Sequence, residues 1–151
     1  MTAPIDPTNP VVALCAQGMM AEGTPTEARR LFELAWAARR DDYDAAIAAH
    51  FLARHQPTVT DALHWNALAV RYAEGVSDGR AVGFLASLYL NFGDAQANAG
   101  ESEAAITSVR TAARHIAAVP PGGYRDFVAL GIDRLARRLG LPSDPSAEQT
   151  G

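Results

Sequence analysis

Three of the four histidines in this chain lie close together in the sequence, with an arginine between two of them: His50, Arg54, His55 and His64. Histidine titrates near neutral pH, and a carboxylate beside it can orient it as a general base. Asp61 precedes His64 by three residues, which is about one turn of a helix. Arginine can also hold a carboxylate through two parallel hydrogen bonds. These residue types would suit a small-molecule-binding protein or an enzyme that uses the four residues for acid–base chemistry.

The spacing of these histidines does not suit a metal centre. His50 and His55 are five residues apart, so on one helix their side chains point to diverging faces. The single cysteine, Cys15, excludes a cysteine metal cage and an internal disulfide bond. We therefore expect no metal site and no cofactor.

The composition narrows the classes of function. All 13 basic residues are arginine, which excludes Schiff-base chemistry and the lysine of a phosphate-binding P-loop. The formal net charge is −4 without a long basic run, which disfavours nucleic-acid binding. No apolar run approaches the roughly 20 residues that cross a bilayer, and the first ten residues lack the pattern of a signal peptide. We expect a cytoplasmic protein, and the Ala- and Arg-rich composition fits a bacterial source.

Apolar residues recur at three- and four-residue spacing through most of the chain, which predicts an all-α fold. Seven helices are expected, over residues 10–22, 25–40, 42–56, 59–74, 80–99, 102–118 and 124–139. Residues 1–9 are expected to form a flexible arm, residues 10–141 one helical domain, and residues 142–151 a disordered tail.

Residues suited to capping stand at several helix ends. Candidate N-caps precede the second, third and fourth helices: Thr24, Asp41 or Asp42, and Thr58. Glu27 has the spacing to complete a capping box with Thr24. Gly23 is expected to end the first helix in the left-handed conformation, and Gly75 and Gly100 to end the fourth and fifth helices.

The pattern of small and large residues repeats along the chain. The first set is Gly23, Ala28, Leu31, Phe32 and Ala35. Counting 34 residues onward gives Pro57, Ala62, Trp65, Asn66 and Ala69, and 43 more gives Gly100, Ala105, Ser108, Val109 and Ala112. Small residues recur where neighbouring helices must approach closely, and larger ones usually occur where gaps must be filled. Such a period indicates a helical repeat array.

With this period the chain resembles the tetratricopeptide repeat (TPR) family over residues 10–140. The third unit matches the family pattern best, at Tyr89, Phe92, Gly93, Gly100, Ala105, Val109 and Ala112. The first unit matches at Gly23, Ala28, Phe32 and Ala35, with Ala16 at the position of the family's glycine. The resemblance implies a right-handed α-solenoid of antiparallel helix pairs, with about three units and the seventh helix as a C-terminal cap.

The middle unit departs from the family pattern. His50 occupies the position of the small helix-packing residue, and Asn66 that of a large apolar one. We expect His50 to be buried and hydrogen-bonded to the facing helix, with Asn66 as the candidate partner. Trp36 and Trp65 are expected to pack in the core.

In TPR proteins the first helix of each unit lines a concave groove that holds the partner. Mapping that groove onto this chain places these residues on its surface: Gln17, Asp44, Ile47, Phe51, Arg54, His55, Leu90, Asp94 and Asn98. Arg54 could hold a carboxylate of the partner, and Asp44 and Asp94 could receive a cation. The alternative for Arg54 is an ion pair with an acid of its own chain.

The resemblance implies a binding module rather than an enzyme, with a protein or peptide partner in the groove. The alternative function is the small-molecule-binding protein or enzyme described above, with acid–base chemistry by the histidines. Neither a nucleic acid nor a membrane is expected as a partner. A short repeat array leaves apolar surface at its ends, so a homodimer formed through the terminal helix is a further prediction.

Overall fold

A computed structural model of the chain describes residues 6–142, and these residues form an all-α fold. The α-helices are α1 (Pro10–Met20), α2 (Pro25–Ala37), α3 (Asp42–Ala53), α4 (Val59–Glu74), α5 (Leu85–Asn98), α6 (Ser102–His115) and α7 (Gly123–Arg138), with a short 3₁₀ helix (Ile116–Ala118) between α6 and α7. Within the described range no residue lies in a β-strand, so the predicted all-α class is confirmed. None of these helices is both long enough and apolar enough to cross a membrane.

The described residues form two compact units, residues 6–80 and residues 81–142. In the first unit α1 packs against α2, and α3 packs against α1, α2 and α4. In the second unit α5 packs against α6, and α7 packs against both. The two units therefore share one arrangement, in which the next helix of the chain covers a pair of packed helices.

The core of residues 6–80 is built largely from small and medium apolar side chains: Val11, Cys15, Ala28, Phe32, Ala35, Ala48 and Leu52. Gly18 in α1 lies directly against Phe32, because a Cβ atom at Gly18 would overlap the aromatic ring. The close helix approach that the TPR register predicts at Ala16 therefore occurs two residues later, and Ala16 itself is exposed. Burial raises the pKa of Cys15 to about 12, which keeps its thiol protonated and unreactive.

Contacts between the α1 and α3 segments join residues that are 33 to 35 positions apart in the sequence. At the start of the two helices, the Asn9 amide donates a 2.7 Å hydrogen bond to Asp44 Oδ1, across 35 positions of the chain. Beyond their ends, His55 Nε2 lies 3.2 Å from Glu22 Oε2, across 33 positions. Because the offset is nearly the same at both ends, α1 and α3 run parallel.

Two of the predicted N-caps are confirmed. The Asp41 carboxylate accepts a 2.8 Å hydrogen bond from the backbone N–H three residues further on, and Thr58 Oγ1 accepts one of 3.0 Å from the equivalent N–H of α4. Asn9 caps α1 in the same manner and is buried, although the sequence assigned it to the flexible arm. Each cap satisfies an N–H group that the first helical turn leaves unpaired. Residues 1–5 of the expected arm and 143–151 of the expected tail lie outside the described residues.

Two other residues that were predicted to mark helix ends behave differently in the structure. Thr24 precedes α2 but makes no side-chain hydrogen bond to its first turn, so the predicted capping box is wrong. Gly23 does not adopt the left-handed conformation, which among the described residues occurs at Gly79, Gly100, Gly122 and Gly140. At Gly100 the φ angle of 80° matches the predicted stop after α5.

In three of the helices that are shorter than predicted, a hydrogen bond to a side chain replaces a helical backbone hydrogen bond near the end that differs. α2 ends at Ala37 rather than Arg40, and the Arg40 N–H donates to the Asp44 carboxylate instead. α3 ends at Ala53, where the Gln56 amide donates a 2.9 Å hydrogen bond to a carbonyl oxygen of the last turn. α5 begins at Leu85 rather than residue 80, because the chain first forms a turn in which the residue-80 N–H donates to a carboxylate two residues back.

The core of residues 81–142 contains side chains from all three helices and the loop before α7: Ala86, Leu90, Val109, Ala112, Val119, Val128, Ile132, Leu135 and Ala136. Gly93 allows α5 and α6 to approach closely, because a Cβ atom there would lie 3.3 Å from Ser108 Cβ and 3.0 Å from Leu135 Cδ2. One turn further along α5, Gln96 Oε1 accepts a 2.5 Å hydrogen bond from the Ser108 hydroxyl. The α5–α6 pair is therefore held by close packing and by a buried polar contact.

Candidate functional site

One stripe of α3 remains accessible although most of this helix is buried. Ile47 and Phe51 are partly buried, and Arg54, just beyond the last turn, is exposed; we call these three residues the α3 stripe. Phe51 stacks on Phe32 with 5.2 Å between ring centroids, and the Arg54 guanidinium lies 5.9 Å from the Phe51 ring centroid. Gln17, the predicted groove residue of α1, is also exposed. The stripe therefore presents two apolar side chains and one cation.

Glu22 brings two of the predicted site residues together. Its Oε2 atom accepts a 2.9 Å hydrogen bond from Arg54 Nη2 and lies 3.2 Å from His55 Nε2. The His55 ring also packs against Phe32, with 5.4 Å between centroids. Arg54 thus makes the ion pair within its own chain that was the alternative to a carboxylate-binding role. Glu22 was not among the predicted residues, and the available signal was its position 33 residues before His55.

The exposure of Glu22 and Arg54 determines how much their ion pair contributes to stability. The Arg54 side chain is 48% exposed and that of Glu22 is 25% exposed, so the ion pair is largely solvated and contributes about 0–1 kcal/mol to stability. The ion pair also fixes the direction of the guanidinium, which lies 5.9 Å from the Phe51 ring centroid. A carboxylate beside an imidazole is also the arrangement that acid–base catalysis requires, and that role for His55 stays a prediction.

Asp44 is not on the surface where the groove mapping placed it. The residue is fully buried. Its carboxylate accepts hydrogen bonds from the Asn9 amide (2.7 Å), the Arg40 backbone N–H (3.0 Å) and Arg40 Nε (3.1 Å). The predicted placement is therefore wrong, because the polar groups at the start of α1 and before α3 enclose this carboxylate. Asp44 connects these segments and is not presented to a partner.

His50 is held as a neutral imidazole. Burial, together with the positive charge of Arg54, lowers the pKa of His50 to about 4. The ring packs edge-on against Phe51 at 4.9 Å between centroids. Asn66, its expected partner, donates its amide to the carbonyl oxygen of Ala62 in its own helix over 2.9 Å. A hydrogen bond between His50 and Asn66 stays a prediction.

His64 lies among aromatic side chains on α4. The residue is exposed, and its ring is 5.7 Å from that of Trp65. Trp65 in turn meets Trp36 edge-on at 5.0 Å, and the Arg39 guanidinium lies 4.0 Å above the Trp36 ring. Both tryptophans are partly buried against the core of residues 6–80, in agreement with their predicted packing role.

The predicted groove residues of α5 belong to the other unit. Leu90 is buried in the core of residues 81–142, so its expected place on the groove surface is wrong. Asp94 is partly buried, and burial raises the pKa of its carboxyl group against the opposing effect of Arg138. Asn98 is exposed, and its Oδ1 accepts a 3.0 Å hydrogen bond from Arg138 Nη2. Polar contacts at this end of α5 therefore involve α7.

Among residues 6–142, no three His, Cys, Asp or Glu side chains are placed to hold a metal ion together. The chain matches no family model, no curated protein and no solved structure.

Proposed function

We propose that the chain is a TPR-like helical repeat module that binds a protein or peptide partner across its first helices. The first support is the geometry of α1 and α3. Their end contacts join Asn9 to Asp44 and Glu22 to His55, at offsets of 35 and 33 positions. These offsets bracket the 34-residue period of the sequence and of the TPR family. Parallel first helices at this spacing are what consecutive TPR units require.

The second support is the arrangement of α5, α6 and α7. A close approach at Gly93 holds α5 against α6, and the next helix covers both. In repeat proteins the last helix covers the apolar face that no further repeat would bury. The side chains of Val128, Ile132 and Leu135 on α7 are buried in the core of residues 81–142, which supports this role for α7.

The observation that carries the proposal is the α3 stripe. Ile47 and Phe51 keep part of their apolar surface accessible next to the 48% exposed Arg54, on a helix that otherwise faces the interior. Within residues 6–80, the described polar contact of Arg54 uses Nη2 alone, which leaves Nε and Nη1 able to donate to a carboxylate of the partner. We expect the partner to be a peptide segment with an apolar side chain close to a carboxylate.

Selection from a random peptide library, followed by titration of the selected peptides, tests this proposal. Selected peptides should combine an acidic residue or free C-terminus with an apolar side chain. Arg54→Ala should weaken their binding by about tenfold or more, because an arginine–carboxylate contact is worth about 1.5–3 kcal/mol. The matched control is Arg29→Ala, since Arg29 is similarly exposed (43%) and also pairs with a glutamate of its own chain, Glu33.

The contrary outcomes are distinct. Failure to select any peptide that binds with micromolar affinity would count against the module. Selected peptides that bind Arg54→Ala and Phe51→Ala as tightly as the wild type would place their contact elsewhere and overturn the assignment of the α3 stripe. Backbone amide shifts at Ile47, Phe51 and Arg54 on titration give an independent measurement of where a peptide binds.

A further inference from the structure

The helix α7 presents an apolar face that its own unit leaves uncovered. Its buried side chains, Val128, Ile132, Leu135 and Ala136, all lie on the opposite face and pack in the core of residues 81–142. On the outer face Phe127 is 75% exposed and Leu130 is 47% exposed. Large apolar side chains at such exposure, close together on one helix face, are typical of an interaction surface.

Two opposite charges flank Leu130 at equal distances along the helix. Asp126 lies four residues before Leu130 and Arg134 lies four residues after it, and both are exposed. Within residues 81–142 neither side chain has an ion-pair partner, whereas Arg137 on the same helix pairs with Asp133. Residues at this spacing share one side of an α-helix, so Asp126 and Arg134 stand on either side of the apolar contact. We call Asp126, Phe127, Leu130 and Arg134 the α7 seam.

From this symmetry we infer that the α7 seam binds the same seam of a second copy of the chain, with the two helices antiparallel. A two-fold axis at Leu130 places the Leu130 side chains of the two copies against each other, with Phe127 of each copy about one helical turn from that contact. The same axis places Asp126 of each copy opposite Arg134 of the other, which forms two equivalent ion pairs. A parallel arrangement would instead place Asp126 against Asp126 and Arg134 against Arg134, and like charges in contact are unfavourable.

Self-complementarity is the reason to assign this surface to a second copy. An unrelated partner would need no particular relation between the two charges and the apolar centre, whereas an isologous interface requires each group to meet its complement across the axis. A seam contributed by one helix lies at the small end of protein interfaces, so we expect a dimer that dissociates in the micromolar range. This inference is independent of the peptide-binding proposal, which concerns residues 6–80.

Sedimentation equilibrium of the full chain from low micromolar to millimolar concentration tests the inference. The wild type should pass from monomer to dimer over this range. Asp126→Arg or Arg134→Asp turns two attractions into two repulsions, and each should raise the dissociation constant by about tenfold or more. The double variant Asp126→Arg/Arg134→Asp exchanges the charges and restores both pairs, so its dissociation constant should return to near the wild-type value.

The control for altered net charge is Arg71→Asp, which changes the charge as Arg134→Asp does at an exposed position on α4. It should leave the dissociation constant within about twofold of the wild type, a change of less than about 0.5 kcal/mol. Circular dichroism melting curves show whether each variant retains its helices. The inference is overturned if the wild type stays monomeric at millimolar concentration, if Arg71→Asp dissociates the dimer as effectively as Arg134→Asp, or if the double variant fails to restore it.

Discussion

Removing the buried carboxylate of Asp44 is the most direct test of how the first unit is held together. Asp44 is fully enclosed, and it accepts hydrogen bonds from the Asn9 amide and from the backbone N–H and Nε of Arg40. These contacts connect the cap of α1 to the first turn of α3. Asp44→Ala removes every acceptor in this network while keeping the helical backbone.

The size of the effect follows from which donors stay buried. The Asn9 amide would lose its acceptor away from water, and an unsatisfied buried donor costs about 1–3 kcal/mol. The Arg40 backbone N–H is only partly buried, so its lost hydrogen bond costs about 0.5–1.5 kcal/mol. The Arg40 side chain is 60% exposed, so its guanidinium would regain water and lose about 1 kcal/mol at most. We expect Asp44→Ala to lower the free energy of unfolding of residues 6–80 by about 2–5 kcal/mol.

Urea unfolding followed by tryptophan fluorescence measures this change in the correct part of the molecule. The two tryptophans of the chain, Trp36 and Trp65, both lie in residues 6–80, so their signal reports that unit. With a slope of about 1 kcal/mol per molar urea for a unit of this size, the midpoint should fall by about 2 M or more. The control is Asp42→Ala, an exposed acid in the same first turn of α3, which should cost less than about 1 kcal/mol.

Equal midpoints for Asp44→Ala and Asp42→Ala would refute the reasoning, because burial and hydrogen bonding are all that distinguish the two carboxylates. A double-mutant cycle adds a second measurement. Asn9→Ala removes the same contact from the other side, so the two changes together should cost less than their sum, by about 1 kcal/mol or more. Strict additivity would show that the 2.7 Å contact between the two side chains carries no stability.

Two further predictions use the same fluorescence measurement. Because the pKa of His50 is about 4 when folded and 6.5 when unfolded, the unfolded chain binds the proton first as the pH falls, and the unit should lose about 3 kcal/mol between pH 6.5 and pH 4. The His50→Gln variant should lose much less stability over this pH range. If its stability depends on pH as that of the wild type does, the result would contradict the burial of His50. Gly18→Ala should destabilise the unit by about 2 kcal/mol or more, because the new Cβ atom overlaps the Phe32 ring. Gly23→Ala, at an open position without positive φ, should instead stabilise it by up to about 1 kcal/mol, and equal effects of the two substitutions would contradict this placement of Gly18.

The helices could be predicted from the sequence because their signals are local. Apolar spacing sets where each helix lies, and the Asp41 and Thr58 side chains cap the helices that directly follow them. Helix ends were less predictable where a distant group competes for the backbone. The Arg40 N–H, for example, is taken by the buried Asp44 carboxylate, and α2 ends three residues early.

The candidate site was harder to predict because burial depends on the neighbouring helix. Periodicity gives the face of a helix on which a residue lies, but it does not show what covers that face. Asp44 and Ile47 were assigned to one groove surface. In the structure Asp44 is buried and accepts a hydrogen bond from Asn9, whereas Ile47 stays partly accessible. In the same way, nothing near Arg54 in the sequence indicates that Glu22 would hold it.

The repeat period itself contains the information that local spacing lacks. When neighbouring helices run parallel at a fixed offset, residues one period apart come into contact, as Asn9 does with Asp44 and Glu22 with His55. A polar residue of one predicted repeat should therefore be examined together with the residue about 34 positions away before either residue is assigned to a surface. Applied to this chain, that comparison pairs the acid at the end of α1 with the cation and imidazole at the end of α3. It thereby identifies the contact with Glu22 that orients Arg54 next to Ile47 and Phe51.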